Sequence, residues 1–83
     1  MTVVETERFL KDARQLMPDS EREELVSFVG SHPDEGDIIT ETGGVRKLRW
    51  RLPGRGKRGV ARVIYYYQAE RLPVFMLAAY AEN

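Results

Sequence analysis

The stretch GGVRKLRWRLPGRGKRGVARVIYYY, residues 43–67, holds eight of the chain's 13 Lys and Arg residues and no Asp or Glu. Within it, Lys47-Leu48-Arg49-Trp50-Arg51-Leu52 alternates basic and apolar side chains. That is the period-two signature of a strand with one face in a core and the other in solvent. Lys47, Arg49 and Arg51 share one face, and Leu48, Trp50 and Leu52 take the other. Positive charge this dense repels itself unless a polyanion meets it, so nucleic acid is the first candidate partner.

Working outward, Pro53-Gly54-Arg55-Gly56-Lys57-Arg58-Gly59 must turn the chain, because Pro and repeated Gly break both regular structures. Residues 54–59 spell G-x-G-x-x-G, but a dinucleotide fingerprint needs a helix next so that its N-terminus meets the pyrophosphate. The next residues are instead Val60-Ala61-Arg62-Val63-Ile64-Tyr65-Tyr66-Tyr67, a strand, which makes the motif a basic hairpin tip. A last strand over 74–81 comes after a turn at Glu70-Arg71, with Pro73 tolerated at its start.

Upstream, Thr6 is placed to cap a helix whose apolar stripe is Phe9, Leu10, Ala13, Leu16 and Met17 and which stops before Pro18. Ser20-Glu21-Arg22-Glu23 reads as a capping box opening a second helix through Leu25, Val26, Phe28 and Val29, ending by Gly30 or Pro33. The short link predicts an antiparallel helical hairpin. Thr2-Val3-Val4 fits an edge strand. The architecture expected is α+β, an N-terminal helical hairpin packed on a small antiparallel β-sheet, in one domain over 1–83.

His32, the only histidine, falls at the end of the second helix, where its role is structural. Asp34-Glu35-Gly36-Asp37 lacks the twelve-residue frame of a calcium loop and reads as a polar connection. Trp50, opposite the basic side of its strand, belongs to the core. Residues 1–44 carry 11 acids and four bases, and residues 45–83 carry nine bases and two acids, so the neutral total hides two oppositely charged halves. The alternative to a binding face is a dipolar but inert surface. With no cysteine, disulfides and thiolate metal sites are excluded, and the N-terminus lacks a signal peptide's apolar run. A soluble, cytoplasmic protein without membrane contact or cofactor is expected.

Thr42-Gly43-Gly44, Arg46-Lys47-Leu48-Arg49-Trp50, residues 54–59, Ala61-Arg62-Val63-Ile64-Tyr65-Tyr66 and Tyr80-Ala81 resemble the RelE superfamily of type II toxins, in particular its HigB-like branch. The resemblance implies a helical hairpin on a small antiparallel sheet. It also implies a metal-independent endoribonuclease that cuts mRNA in the ribosomal A site and is blocked by a cognate antitoxin. By resemblance Lys47, Arg49, Arg62 and Tyr80 are the catalytic candidates, and Arg46, Arg51, Arg55, Lys57 and Arg58 the RNA-binding ones. RNA cleavage without a metal uses the 2′-hydroxyl as nucleophile, so it needs a base, an acid and cations for the phosphorane. Lys47 is the candidate base, because crowding by Arg46, Arg49 and Arg62 disfavours its charged form. Arg62 suits phosphate stabilisation through its planar fork.

Tyr80 either stacks on a base or, like Tyr65, Tyr66 and Tyr67, packs with its hydroxyl at the rim. Relatives carry a basic residue at the place of Glu82 and continue past Asn83 into a helix that completes the site. The chain departs from both patterns, so an apolar strip is expected bare beside Val74, Met76 and Ala78 or on their opposite face, for an acidic antitoxin segment to cover. Two alternatives stand beside the toxin reading: a non-catalytic module that binds RNA or the ribosome, and the gyrase-inhibiting ParE branch, against which the basic strand argues.

Overall fold

The computed structural model describes residues 1–53 and 59–82. In chain order it contains β1 (Val3–Glu5), α1 (Glu7–Leu16), α2 (Asp19–Ser31), β2 (Asp37–Ile38), β3 (Val45–Arg51), β4 (Val60–Tyr66) and β5 (Val74–Ala81). One mixed sheet runs in the order β1-β5-β4-β3-β2. The β2–β3, β3–β4 and β4–β5 pairs are antiparallel, and the edge strand β1 runs parallel to β5, so the sheet is mixed where a wholly antiparallel one was expected. The expected α+β architecture of helices on a small sheet is present. No helix among the described residues is long and apolar enough to cross a membrane.

α1 starts where the sequence places its cap: the Thr6 Oγ1 accepts from the Phe9 backbone N–H at 3.2 Å. It closes at Met17, since the residue before a proline is pushed out of helical geometry. α2 departs from expectation. It begins at Asp19 with Pro18 as its cap and no side-chain cap bond, so the Ser20–Glu23 capping box is not used. The cause is Pro18, whose ring fixes φ at −69° and whose carbonyl already accepts from the N–H groups of Glu21 and Arg22. Ser20 is thereby inside the first turn.

Phe9, Ala13 and Met17 from the first helix and its end, and Leu25 and Val29 from α2, share one core with Leu48, Ala61, Val63, Tyr65, Val74, Met76 and Ala79 of the sheet. Trp50 joins from the same sheet face, its ring 5.6 Å from that of Phe28. His32 caps α2 and stacks on Phe28 at 4.7 Å. Tyr65 is fully buried, and its hydroxyl accepts from the Gly36 N–H (2.9 Å) while donating to the Pro33 carbonyl (2.8 Å). Burial pushes this phenol above its ordinary value, against the opposing bond from Gly36, so the hydroxyl keeps the proton it donates. Gly36 has no room for a side chain, because a Cβ would lie 2.9 Å from that hydroxyl.

β5 carries the feature that positions the site. Ile64 pairs with Ala78 and Tyr65 with Met76, which leaves Leu77 as an extra residue, a β-bulge. Strict alternation from Val74 and Met76 would send Ala78 and Tyr80 to the core side. After the bulge, Ala79 is the buried residue and Ala78 and Tyr80 turn to the other face. α1 holds this segment: Thr6 Oγ1 donates to the Met76 carbonyl at 2.6 Å, and the Ala79 N–H donates to Asp12 Oδ2 at 3.0 Å. Val74 and Met76 are fully buried, so among the described residues the strip left open lies on the opposite face of β5, where Phe75 and Ala78 are half-buried and Tyr80 is exposed.

Candidate nucleic-acid interface

Strand register arranges the face away from the helices in four rows. Val45, Tyr66, Phe75 and Val4 form the first, and Asp37, Lys47, Ile64 and Ala78 the second. Arg49, Arg62 and Tyr80 form the third. Arg51 and Val60 form the fourth, and Glu82 continues it, its N–H donating to the Val60 carbonyl at 2.9 Å. One end of the face is therefore apolar and aromatic, with the Tyr66 and Phe75 rings 6.4 Å apart, and the other end is charged. Arg49, Arg51 and Tyr80 are exposed, and Arg49, Arg51 and Val60 line a shallow depression.

The alternation predicted for β3 holds, with Lys47, Arg49 and Arg51 on this face about 7 Å apart along the strand. Four of the sequence-predicted candidates, Lys47, Arg49, Arg62 and Tyr80, come together in adjacent rows, with Arg51 at their border. Arg46 does not join them. Its partner in β4 is the buried Tyr65, so it faces the helix side. Its Nη1 donates to the carbonyls of Gly36 (2.7 Å) and Asp34 (3.1 Å), and its guanidinium lies 5.8 Å from the Tyr67 ring centre. The structure thus gives Arg46 the work of holding the loop before β2, since period two puts it with Leu48 and Trp50. Arg55, Lys57 and Arg58 lie outside the described residues.

The electrostatics differ from the sequence expectation at one residue. Glu82 Oε1 accepts from Arg49 Nη2 (2.9 Å) and Nε (3.2 Å), while Oε2 accepts from Arg62 Nε (2.5 Å). Arg49 first, and then Arg62, hold this carboxyl below the ordinary glutamate value. Of the cations expected to crowd Lys47, Arg46 is on the other face and the two others are paired with Glu82. Lys47 itself stands opposite Asp37 in register. The positive crowding around it is thinner than the sequence implies.

Glu82 is not marked as a partner by the pattern of cations along the chain. The available signal was its spacing, since period two from Tyr80 puts position 82 on the same face. No protein-family model matches the chain.

Proposed function

We propose that the uncovered sheet face binds single-stranded RNA, and that the chain is the toxin of a type II toxin–antitoxin system, a ribosome-dependent mRNA endonuclease acting in the cytoplasm. The observation that carries this reading is the Arg49–Arg62–Tyr80 row, two guanidinium groups and an exposed aromatic ring in register across three strands. Guanidinium forks match phosphate oxygens, and an exposed ring offers a stacking platform to an unpaired base. Lys47 and Arg51 flank the row and extend the track for the backbone.

In the chemistry proposed, the 2′-hydroxyl attacks the adjacent phosphorus and loses its proton to Lys47. The 5′-oxygen departs and takes up a proton from water, leaving a 2′,3′-cyclic phosphate. Arg62 and Arg49 meet the charge that develops on the phosphorane oxygens. A cognate antitoxin covers the uncovered face, its acidic groups meeting the charged end and its apolar groups the row of Val4, Phe75 and Tyr66.

Primer extension on mRNA from cells expressing the chain tests this directly. Discrete new 5′ ends are expected, and they should vanish in Arg62→Ala. In purified reactions the same substitution should lower turnover far more than RNA affinity, because the group is assigned to the transition state. A second reading, RNA binding without cleavage, is favoured by the Glu82 carboxylate seated on both arginines and by Asp37 beside Lys47. Bound RNA with no new 5′ ends selects it.

A further inference from the structure

Glu82 is held as a ligand would be. Both of its oxygens are taken, one by Arg49 through two nitrogens and the other by Arg62, and all three side chains sit on the uncovered face. A guanidinium fork presents the same donors to a phosphate as to a carboxylate. We propose that Arg49 and Arg62 form a phosphodiester-binding site whose resting occupant is Glu82, an internal anion that RNA must displace. The proposal rests on the RNA-binding reading above.

Three observations separate this from a simple staple or a catalytic base. The strands that Glu82 bridges are already fixed to one another by the β3–β4 and β4–β5 ladders, and its own backbone is tied to Val60, so the side-chain pairing is not needed to close the sheet. The Arg49 side chain is 63% exposed, so that arm of the clamp is a weak, exchangeable ion pair, while Arg62 and Glu82, 28% and 24% exposed, keep the anion seated at rest. A carboxylate whose oxygens both accept from cations is also a poor proton acceptor, because its charged form is already stabilised. An incoming strand has what Glu82 lacks, further phosphates for Lys47 and Arg51. Displacement thus favours a polyanion over a lone anion, and the carboxylate screens the face against small anions.

The test compares the purified chain with Glu82→Gln and Glu82→Ala, each checked for a retained cooperative thermal melt. Inorganic phosphate is titrated while the Arg49 and Arg62 Nε–Hε signals are followed by NMR. A short fluorescein-labelled single-stranded oligoribonucleotide is titrated by anisotropy at low salt. Both variants should bind phosphate and RNA more tightly, by roughly two- to fivefold, as a competing surface pair is lost. Arg62→Ala introduced into the Gln variant should cancel the gain.

A phosphate gain with no RNA binding by any form leaves the gate standing and removes the RNA reading. Tight RNA binding that is equal in all three forms, with no phosphate gain, overturns the gate and leaves the RNA reading intact. Loss of cleavage in Glu82→Gln with unchanged affinity also overturns it, and makes Glu82 the base.

Discussion

Asp12→Ala is the most informative perturbation of the fold, because Asp12 holds the segment that delivers Tyr80 to the site. β1 pairs with β5 only as far as Met76, so the Ala79 N–H lies beyond the last rung on that edge and is met by the Asp12 carboxylate. The Asp12 side chain is 16% exposed and Ala79 is buried, so water replaces the lost acceptor poorly. Removing a charged acceptor from a buried N–H costs about 1–3 kcal/mol, and we take about 2. In a domain of this size each kcal/mol lowers the melting temperature by about 4–8 °C, which gives a fall of roughly 8–16 °C.

Asp12 also pairs with Arg8, but that side chain is 71% exposed and Arg8→Ala should cost only about 0.3–0.5 kcal/mol. Asp12→Asn keeps an acceptor oxygen and should fall between the two. Thermal denaturation by circular dichroism gives the ranking, and amide exchange at Ala79 locates it, since protection there should drop in the Ala variant. If Asp12→Ala and Arg8→Ala melt within a degree or two of one another, the carboxylate is not holding the strand.

Tyr65→Phe strips the Gly36 N–H and the Pro33 carbonyl of their buried partner, and should lower stability by about 1–3 kcal/mol, read as a lower urea midpoint at unchanged slope. RNA affinity should fall with salt at a slope of about −0.7 per phosphate contacted, and Arg51→Ala should make that slope shallower by about 0.7; a salt-independent affinity removes the basic face from the argument. Arg49 and Arg62 hold the folded-state Glu82 carboxyl below its unfolded value, so the stability this pairing gives is fully present above the unfolded value and is lost as pH falls through the folded one. A carboxyl-carbon NMR titration should place the Glu82 midpoint below that of an unpaired glutamate, with Arg49→Ala moving it upward; a midpoint at or above the ordinary glutamate value in the unaltered chain dissolves the clamp.

The fold was legible where one periodicity ran without interruption. Thr6 before an apolar stripe at helical spacing specified α1, and the strict alternation of β3 specified which of its side chains meet solvent. It was less legible where two local signals competed. At Pro18-Asp19-Ser20 the hydroxyl advertised a cap, but a fixed φ and a free carbonyl one residue earlier began the helix first. β2 is two residues long and owes its pairing to β3 more than to its own sequence. In β5 the run VFMLAAYA is apolar throughout apart from one tyrosine hydroxyl, so no change of pattern marks the bulge at Leu77. The Ala79 N–H next to Tyr80 is met by Asp12 of α1 from 67 positions away, and no local window contains that information.

The charge of the site divides between sequence and space in the same way. Along residues 43–67 the cations have no acidic neighbour, which is why they read as an uncompensated surface. Folding brings the compensation from elsewhere: Glu82 from the end of β5 to Arg49 and Arg62, Asp37 from β2 to the place opposite Lys47, and the loop carbonyls of residues 34 and 36 to Arg46. A face compensated in this way attracts polyanions at long range less than its arginine content implies. On the proposed reading its discrimination shifts to short range, where a ligand must present an anion able to take the place of Glu82 and, in the same pose, a flat group for the exposed ring of Tyr80. Single-stranded RNA meets both demands with adjoining parts of one nucleotide, whereas a duplex keeps its bases stacked away from such a ring. If the row binds RNA as proposed, it should select for strandedness as well as charge, and a duplex of the same length and sequence should compete poorly for it.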